Sequence, residues 1–335
     1  MAQRLMELCA LDSTTGQEEV VLPALLPMLE GCDARVELLP VRGAASNVLA
    51  SWSDTPRLLF STHLDTVPPF LPPVRKGDTI AGRGTIDAKG QIVVQLATIE
   101  RLLRAGHRNL AWLGVVGEET DSIGARKSSG LAPRLRSLRA VLNGEPTGNR
   151  LATGQRGIVH LRLSCQGRAA HSGTPEVGRS AIWPLLDWLH DLRAQPRPQD
   201  ADLGPEIWNL GLISGGRAPN VVPDLAHAEL FVRALPGSDF AALAERLAPG
   251  EGRVELLHDT PADRFPRVEG FDHCVVPFGS DAPRLRHLVP DRTVALVGPG
   301  AIELAHSVDE HVTLDQLCDG VDLLQRLAHH FLAQP

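Results

Sequence analysis

Arg57-Leu-Leu-Phe-Ser-Thr-His63-Leu-Asp65 is an apolar run that ends on an imidazole and a carboxylate, and three later stretches repeat the layout. They are Gly82-Arg-Gly-Thr-Ile-Asp87-Ala-Lys-Gly90, Gly117-Glu118-Glu119-Thr120 and Asn143-Gly144-Glu145-Pro146-Thr147. In each, an acidic or imidazole group stands where an apolar segment stops, and His306 reads as a last, distant member of the set. Strands alternating with helices imply a largely parallel sheet covered on both faces. In such sheets ligands bind at the carboxyl ends of the strands, where His63, Glu118, Glu119, Glu145 and His306 would fall. Two imidazoles and several carboxylates gathered there would repel one another without a cation. Nitrogen and oxygen donors without sulfur suit Zn²⁺, Co²⁺ or Mn²⁺, with enough carboxylates for two ions. Singly, each residue has a blander reading. A Glu-Glu pair after a strand can be a solvated loop, and Asp87 can cap the helix that follows it.

Outward from this stretch, Thr15-Gly-Gln-Glu18 fits a capping box before a helix carrying Val21, Leu25 and Leu29 on one face. Residues 47–52 and 57–62 read as strands, with Asp54 and Pro56 marking the turn. The four prolines of residues 68–76 predict a loop. Ile92, Val93, Leu96, Ile99, Leu102 and Leu103 have helical spacing, stopped at Gly106. Residues 109–116 and 139–142 predict buried strands. From about residue 152 the texture changes: residues 158–165 alternate by twos, as a half-exposed antiparallel strand does. A helix over 180–192, strands over 207–213 and 225–232, a helix over 240–247 and a strand over 253–257 complete a β-α-β-β-α-β order, the split, ferredoxin-like pattern. The expected organisation is a discontinuous catalytic metal-binding domain (residues 1–152 and 261–335) with a lid or dimerisation domain inserted at residues 153–260. Buried strand character returns at 293–297, and the closing helix carries Leu314, Leu317, Val321, Leu324, Ala328 and Phe331 on one face.

A chain of 335 residues with 43% hydrophobic and 22% charged residues is of globular type and long for one core. A formal net charge of −7 argues against nucleic acid or an anionic membrane as partner. No apolar run approaches a bilayer span, and the first residues contain no signal-peptide core. Five scattered cysteines, none spaced C-x-x-C, read as reduced thiols in a cytoplasmic protein. G-x-S-x-G, the P-loop and H-E-x-x-H are all missing, and Asp87 occupies the place of the third glycine of a dinucleotide fingerprint.

At these residues the chain resembles the M20 metallopeptidase family, and most closely its acetylornithine deacetylase and succinyl-diaminopimelate desuccinylase branch. The similarity runs over nearly the whole length. It lies in Ser61-Thr-His63-Leu-Asp65-Thr-Val-Pro68, in Gly82–Gly90 (with Ala88 where Met is common), in Gly117-Glu-Glu, in Gly144-Glu145-Pro-Thr and in Gly298-Pro-Gly-Ala-Ile-Glu-Leu-Ala-His306-Ser-Val-Asp-Glu310. The resemblance implies two divalent ions, Zn²⁺ or alternatively Co²⁺, with Asp87 bridging them. His63 and Glu145 would complete one site, and Glu119 with His306 the other. Asp65 would orient the His63 ring, and Glu118 would be the general base. In the inserted domain, Gly167-Arg-Ala-Ala-His171 resembles the segment whose His stabilises the oxyanion, supplied by the partner subunit in dimeric members. Asn220 and Arg233 fall in segments that resemble carboxylate-binding ones.

The implied activity is removal of an N-acyl group, most simply acetyl, from an amino acid such as ornithine, which would place the protein in arginine biosynthesis. The implied partners are a small-molecule substrate and a second copy of the chain, joined through the inserted domain. A di- or tripeptidase or carboxypeptidase, and a metal-binding homologue without catalysis, are the alternatives. The retained Glu118 speaks against the last. Residues 266–280 form a shorter segment than the family usually has, where a helix and a strand are expected.

Overall fold

The strands Leu58–His63 and Leu110–Val115 are buried at every position, as only strands covered on both faces can be. The structure is a computed structural model that describes residues 1–289 and 293–333. The chain divides into two compact units: Met1–Thr153 with Phe265–Cys274 and Ser280–Pro335, and Gly154–Arg264 with Val275–Gly279.

The first unit is built on a six-stranded sheet ordered Arg35–Arg42, Ala45–Ser51, Leu110–Val115, Leu58–His63, Ala140–Asn143 and Val294–Leu296. Its last four strands are mutually parallel. The first two form an antiparallel hairpin on one edge. The edge strand Arg35–Arg42 escapes the sequence reading because only Val41 in it is buried, so it lacks the alternation of a half-covered strand. The helix Lys89–Arg104 turns a nearly continuous buried face to the sheet and packs against the closing helix Leu314–Ala333. Two glutamines on the Lys89–Arg104 helix tie it to the sheet and to neighbouring loops. Gln95 donates to the Ser61 carbonyl and accepts from the Trp112 indole, both at 2.8 Å. Gln91 donates to the carbonyls of Ile86 (2.7 Å) and Pro299 (2.8 Å). Gly298 allows this approach, since a Cβ there would lie 1.9 Å from Gln91 Oε1.

Several expectations are corrected. Thr15 and Glu18 form no capping box: the Thr15 hydroxyl donates to Asp65 at 2.9 Å, and Glu18 accepts the Gly16 N–H. A carboxylate is the stronger acceptor, so the hydroxyl goes to it. Asp87 does not cap the Lys89–Arg104 helix, whose first turn has no side-chain cap. Residues 68–76 are not all loop, because Val74–Lys76 pairs with Thr79–Ala81, which in turn pairs with His311–Thr313. The 266–280 segment supplies the strand His273–Val276 and no helix, so the large sheet ends at the three-residue strand Val294–Leu296.

The second unit is an antiparallel four-stranded sheet ordered Ile207–Gly215, Leu225–Ala234, Gly157–Gln166 and Gly252–Thr260. Alternate residues of two strands (Leu161, Leu163, Cys165; Ala226, Ala228, Leu230, Val232) are buried with the helices Ile182–Ala194 and Phe240–Arg246. Asp239 caps the second helix through the Ala242 N–H. All five cysteines are free thiols. Among the described residues no helix is long and apolar enough to cross a membrane.

Candidate metal centre

His63 is the last residue of its strand and only 1% exposed. Its Nδ1 lies 2.9 Å from the Asp65 carbonyl, and its Nε2 lies 2.9 Å from Asp87 Oδ1. If Nδ1 donates to that carbonyl, the neutral ring aims a lone pair at a carboxylate. Such a contact requires a proton or a cation between the two. His306 poses the same demand, with Nε2 3.3 Å from Asp87 Oδ2 and 3.1 Å from Glu119 Oε1. The two oxygens of Asp87 therefore face two different imidazoles.

Three sets of donors lie within 4.8 Å of one another: His63, Asp87 and Glu145; Asp87, Glu119 and His306; and His63, Glu118 and Glu119. Neighbouring ligands on a tetrahedral ion with bonds of ~2.0–2.1 Å sit about 3.3 Å apart. The observed 2.9–3.3 Å contacts match that spacing and the donor chemistry suits Zn²⁺ or Co²⁺, so the residues fit divalent ions.

The surroundings fix these groups. Asp65, fully buried, accepts the N–H of Glu118 on one oxygen and that of Glu119 on the other, both at 3.1 Å. One carboxylate thus orients the His63 segment and the start of the Glu118–Glu119 turn. Gly144 donates to the Ser61 carbonyl at 2.8 Å and accepts from Thr62 at 2.9 Å, so Glu145 leaves the sheet beside His63. The Asp87–Ala88 peptide bond is cis, which the sequence does not signal.

Burial drives the carboxylates up, with neighbours adding to it. Glu118 is raised well above the ordinary range by burial and then by Glu145, and Glu119 by burial and then by Asp87. Glu145 is raised by burial against the pull of His63, and Asp281 is pushed up to about 6 by burial. Burial opposes the charge on Asp87 as well, but hydrogen bonds from His306 and His63 overcome it and hold its carboxyl down. Burial also works against a charged His63, and its contacts with Asp65 and Asp87 raise it nonetheless. His306 rises to about 10 through Asp87 and Glu119.

A pH dependence follows. Glu118, Glu119, Glu145, His63 and His306 each hold more protons folded than unfolded between their unfolded and folded pKa. Stability from such groups is full below the unfolded value and is lost as pH rises through the folded one. Asp65 and Asp87, shifted down, act only below the usual carboxylate range. The Tm of the metal-free protein is expected to fall as pH goes from about 6 to about 9, and to vary less with excess Zn²⁺, where metal replaces protons. Equal slopes with chelator and with Zn²⁺ in differential scanning fluorimetry would contradict that exchange.

The structure brings His63, Asp65, Asp87, Glu118, Glu119, Glu145 and His306 together and places the other three candidates in the second unit. There His171 and Asn220 share one rim. His171 bridges Val221, and the Ser172 N–H donates to the Asn220 carbonyl at 3.0 Å. Arg233 sits at the other end of the strand Leu225–Ala234, opposite Ile158, its guanidinium 5.1 Å from the Phe231 ring centre. At ~3.4 Å per residue the two ends of that strand are roughly 27 Å apart, so one chain does not offer Asn220 and Arg233 to the same carboxylate.

Sequence reasoning passed over Arg83 and Glu310 except as motif letters. They form a buried ion pair at 2.6 Å, 1% and 0% exposed. A charge inside each of two ligand-bearing stretches was the available signal.

Residues 153–248 match the family model for the peptidase dimerisation domain. A probable carboxypeptidase of Aspergillus clavatus is 35% identical over 93% of this chain and 84% of its own length. A peptidase M20 domain-containing protein of Schizosaccharomyces pombe is 33% identical, over 97% and 83%. Among solved structures, a tripeptidase from Staphylococcus aureus superposes with a TM-score of 0.78 at 20% identity, covering 99% of this chain and 98% of that one. The chain belongs to the M20 peptidase family, with that family's α/β catalytic domain and dimerisation domain.

Proposed function

We propose that the protein is a dinuclear metal-dependent peptidase of carboxypeptidase type, hydrolysing the amide bond to an amino acid that bears a free carboxylate. The observation that carries the reading is Asp87, whose two oxygens face His63 and His306 while Glu118 stands beside them with no hydrogen bond to its carboxylate among the described residues. The names of the relatives favour a peptidase over the deacetylase that the motifs suggested. The two reactions share their leaving group, an amino acid, so the same residues serve both, and the Gly298–Glu310 motif around His306 keeps N-acetylornithine as the second reading.

His63, Asp87 and Glu145 would hold one ion, and Asp87, Glu119 and His306 the other. Bound there, the ions would supply Lewis acidity toward the carbonyl and toward the attacking water. Glu118 takes the proton from that water and returns it to the leaving nitrogen. Asp65 keeps Glu118 and Glu119 in place through their N–H groups. Arg233 suits the substrate carboxylate as a bidentate donor.

A second copy of the chain supplies the remaining groups in this reading. The strand Ile207–Gly215 is the free edge of its sheet and exposes Ile207, Leu210, Leu212 and Ile213, with Trp183 and Leu186 exposed on the helix Ile182–Ala194. An apolar, unpaired edge invites a partner strand. Two such edges paired about a two-fold axis set the His171/Asn220 rim of one lid beside the Arg233 end of the other. Leu212→Asp is expected to weaken the dimer at least about 100-fold, by leaving a buried charge unpaired. Light scattering after size exclusion would then read 36.1 kDa instead of twice that. An unchanged mass would place the interface elsewhere.

The test of function is amine release from dipeptides, tripeptides, and N-acetyl and N-succinyl amino acids with Zn²⁺ or Co²⁺ present. Faster release from peptides supports the peptidase, and faster release from N-acetylornithine the second reading. Turnover of neither class, with two ions bound, would reject both.

A further inference from the structure

The two halves of the centre are anchored differently. In the first, His63 ends a central strand and Glu145 follows one, each tied to the sheet or the adjoining backbone. In the second, His306 lies on a loop in a left-handed conformation (φ 62°), its side chain half exposed. Beyond the backbone bond from the Gly82 N–H to the Glu310 carbonyl (2.9 Å) and the strand pairing that follows it, Arg83 is the side chain that holds that loop. Its guanidinium reaches the carbonyls of His306 (3.4 Å) and Ser307 (3.3 Å) and pairs with Glu310 at 2.6 Å. Glu310 spends its other oxygen on the N–H groups of Ile86 (3.1 Å) and Asp87 (3.4 Å). One buried ion pair therefore ties the Asp87 loop to the His306 loop. Asp87 has separate support, because Gln91 grips the Ile86 carbonyl from the helix.

We infer that the Arg83–Glu310 pair holds the His306 loop at the spacing from Asp87 that an ion needs, and so sets occupancy of the Asp87/Glu119/His306 half of the centre but not of the His63/Asp87/Glu145 half. The inference rests on the dinuclear reading above. Arg83 and Glu310 are positioning residues here: they reach the ligands through backbone groups. The geometry demands a guanidinium fork, since a single ammonium does not span Glu310 and two carbonyls in one plane.

The test is a Zn²⁺ titration of metal-free protein by calorimetry, with bound equivalents by mass spectrometry and the absorption spectrum of the Co²⁺ form. Wild type is expected to bind two ions. Arg83→Lys and Glu310→Gln are expected to leave the first ion's affinity unchanged and to weaken the second about 10- to 100-fold, the usual cost of losing a group that orients a ligand. The Co²⁺ spectrum should reduce to the one-ion form. Glu310→Gln keeps an acceptor for Asp87 and Arg83→Lys keeps the charge, so failure of one to fold leaves the other to decide. Arg101→Lys, in an ion pair with Asp322 on the protein surface, is the control and should change nothing. Equal weakening of both ions, or two unaltered affinities in a variant, would overturn the inference. A single ion in wild type would instead refute the dinuclear reading, and this inference with it.

Discussion

Glu118→Ala is expected to retain both metal ions and to lower kcat by about 10²- to 10⁴-fold, the usual contribution of a positioned general base. Glu118 and Glu119 leave the sheet together, anchored through their N–H groups to the two oxygens of Asp65. Their side chains then part company. Glu119 Oε1 meets His306 at 3.1 Å, whereas the Glu118 carboxylate has no such partner among the described residues. Distance alone also allows Glu118 a ligand role, with His63 and Glu119. The single Nε2 of His63, however, already faces Asp87. Alanine at 118 removes a base without touching Asp65, which bonds the backbone. Loss of one bound ion in this variant would make Glu118 a ligand, and near-normal kcat would remove it from the proton path.

Asp87→Ala is expected to have the larger effect on metal, because both halves of the centre depend on this one side chain. Removing the carboxylate takes one donor from the His63/Asp87/Glu145 set and one from the Asp87/Glu119/His306 set, and leaves His63 and His306 without the acceptor they share. Affinity for both ions should fall by more than the 10- to 100-fold typical of losing a group that merely orients a ligand. Activity should vanish with it. The fold should survive, since Glu310 and Gln91 hold the backbone around position 87 and not its side chain. Equilibrium dialysis with Zn²⁺ and circular dichroism on the same sample separate the two effects. A variant that kept one tight ion would show that Asp87 serves a single site.

The residues of this centre are legible in the sequence because strand ends are. His63, Glu118, Glu119 and Glu145 each follow an apolar run, and a parallel sheet brings such ends to one edge. The second unit is legible by its period: its strands alternate by twos and its helices do not. What escaped reading lacks a period. Arg35–Arg42 has almost no buried residue to mark it. Thr15 looks like a cap until Asp65, far along the chain, takes its hydroxyl. Arg83 and Glu310 are single letters in two motifs, and only the fold reveals that they touch. The separation of Asn220 from Arg233 likewise depends on the strand between them.

The large sheet has one further consequence, for the order in which the protein can be made. Ala140–Asn143 is an edge of that sheet until Val294–Leu296 pairs with it, and the whole second unit is synthesised in between. The second unit has its own hydrophobic core and pairs its strands among themselves, so it can fold as a unit while it leaves the ribosome. The catalytic unit cannot. Its Ala140–Asn143 strand stays unpaired on one side, and its carboxylates lack His306, until residues 294–306 have emerged. Assembly of the centre is therefore a late, long-range event, slowed by the loop that must close. The nascent chain carries an unfinished sheet edge while residues 144–293 are added.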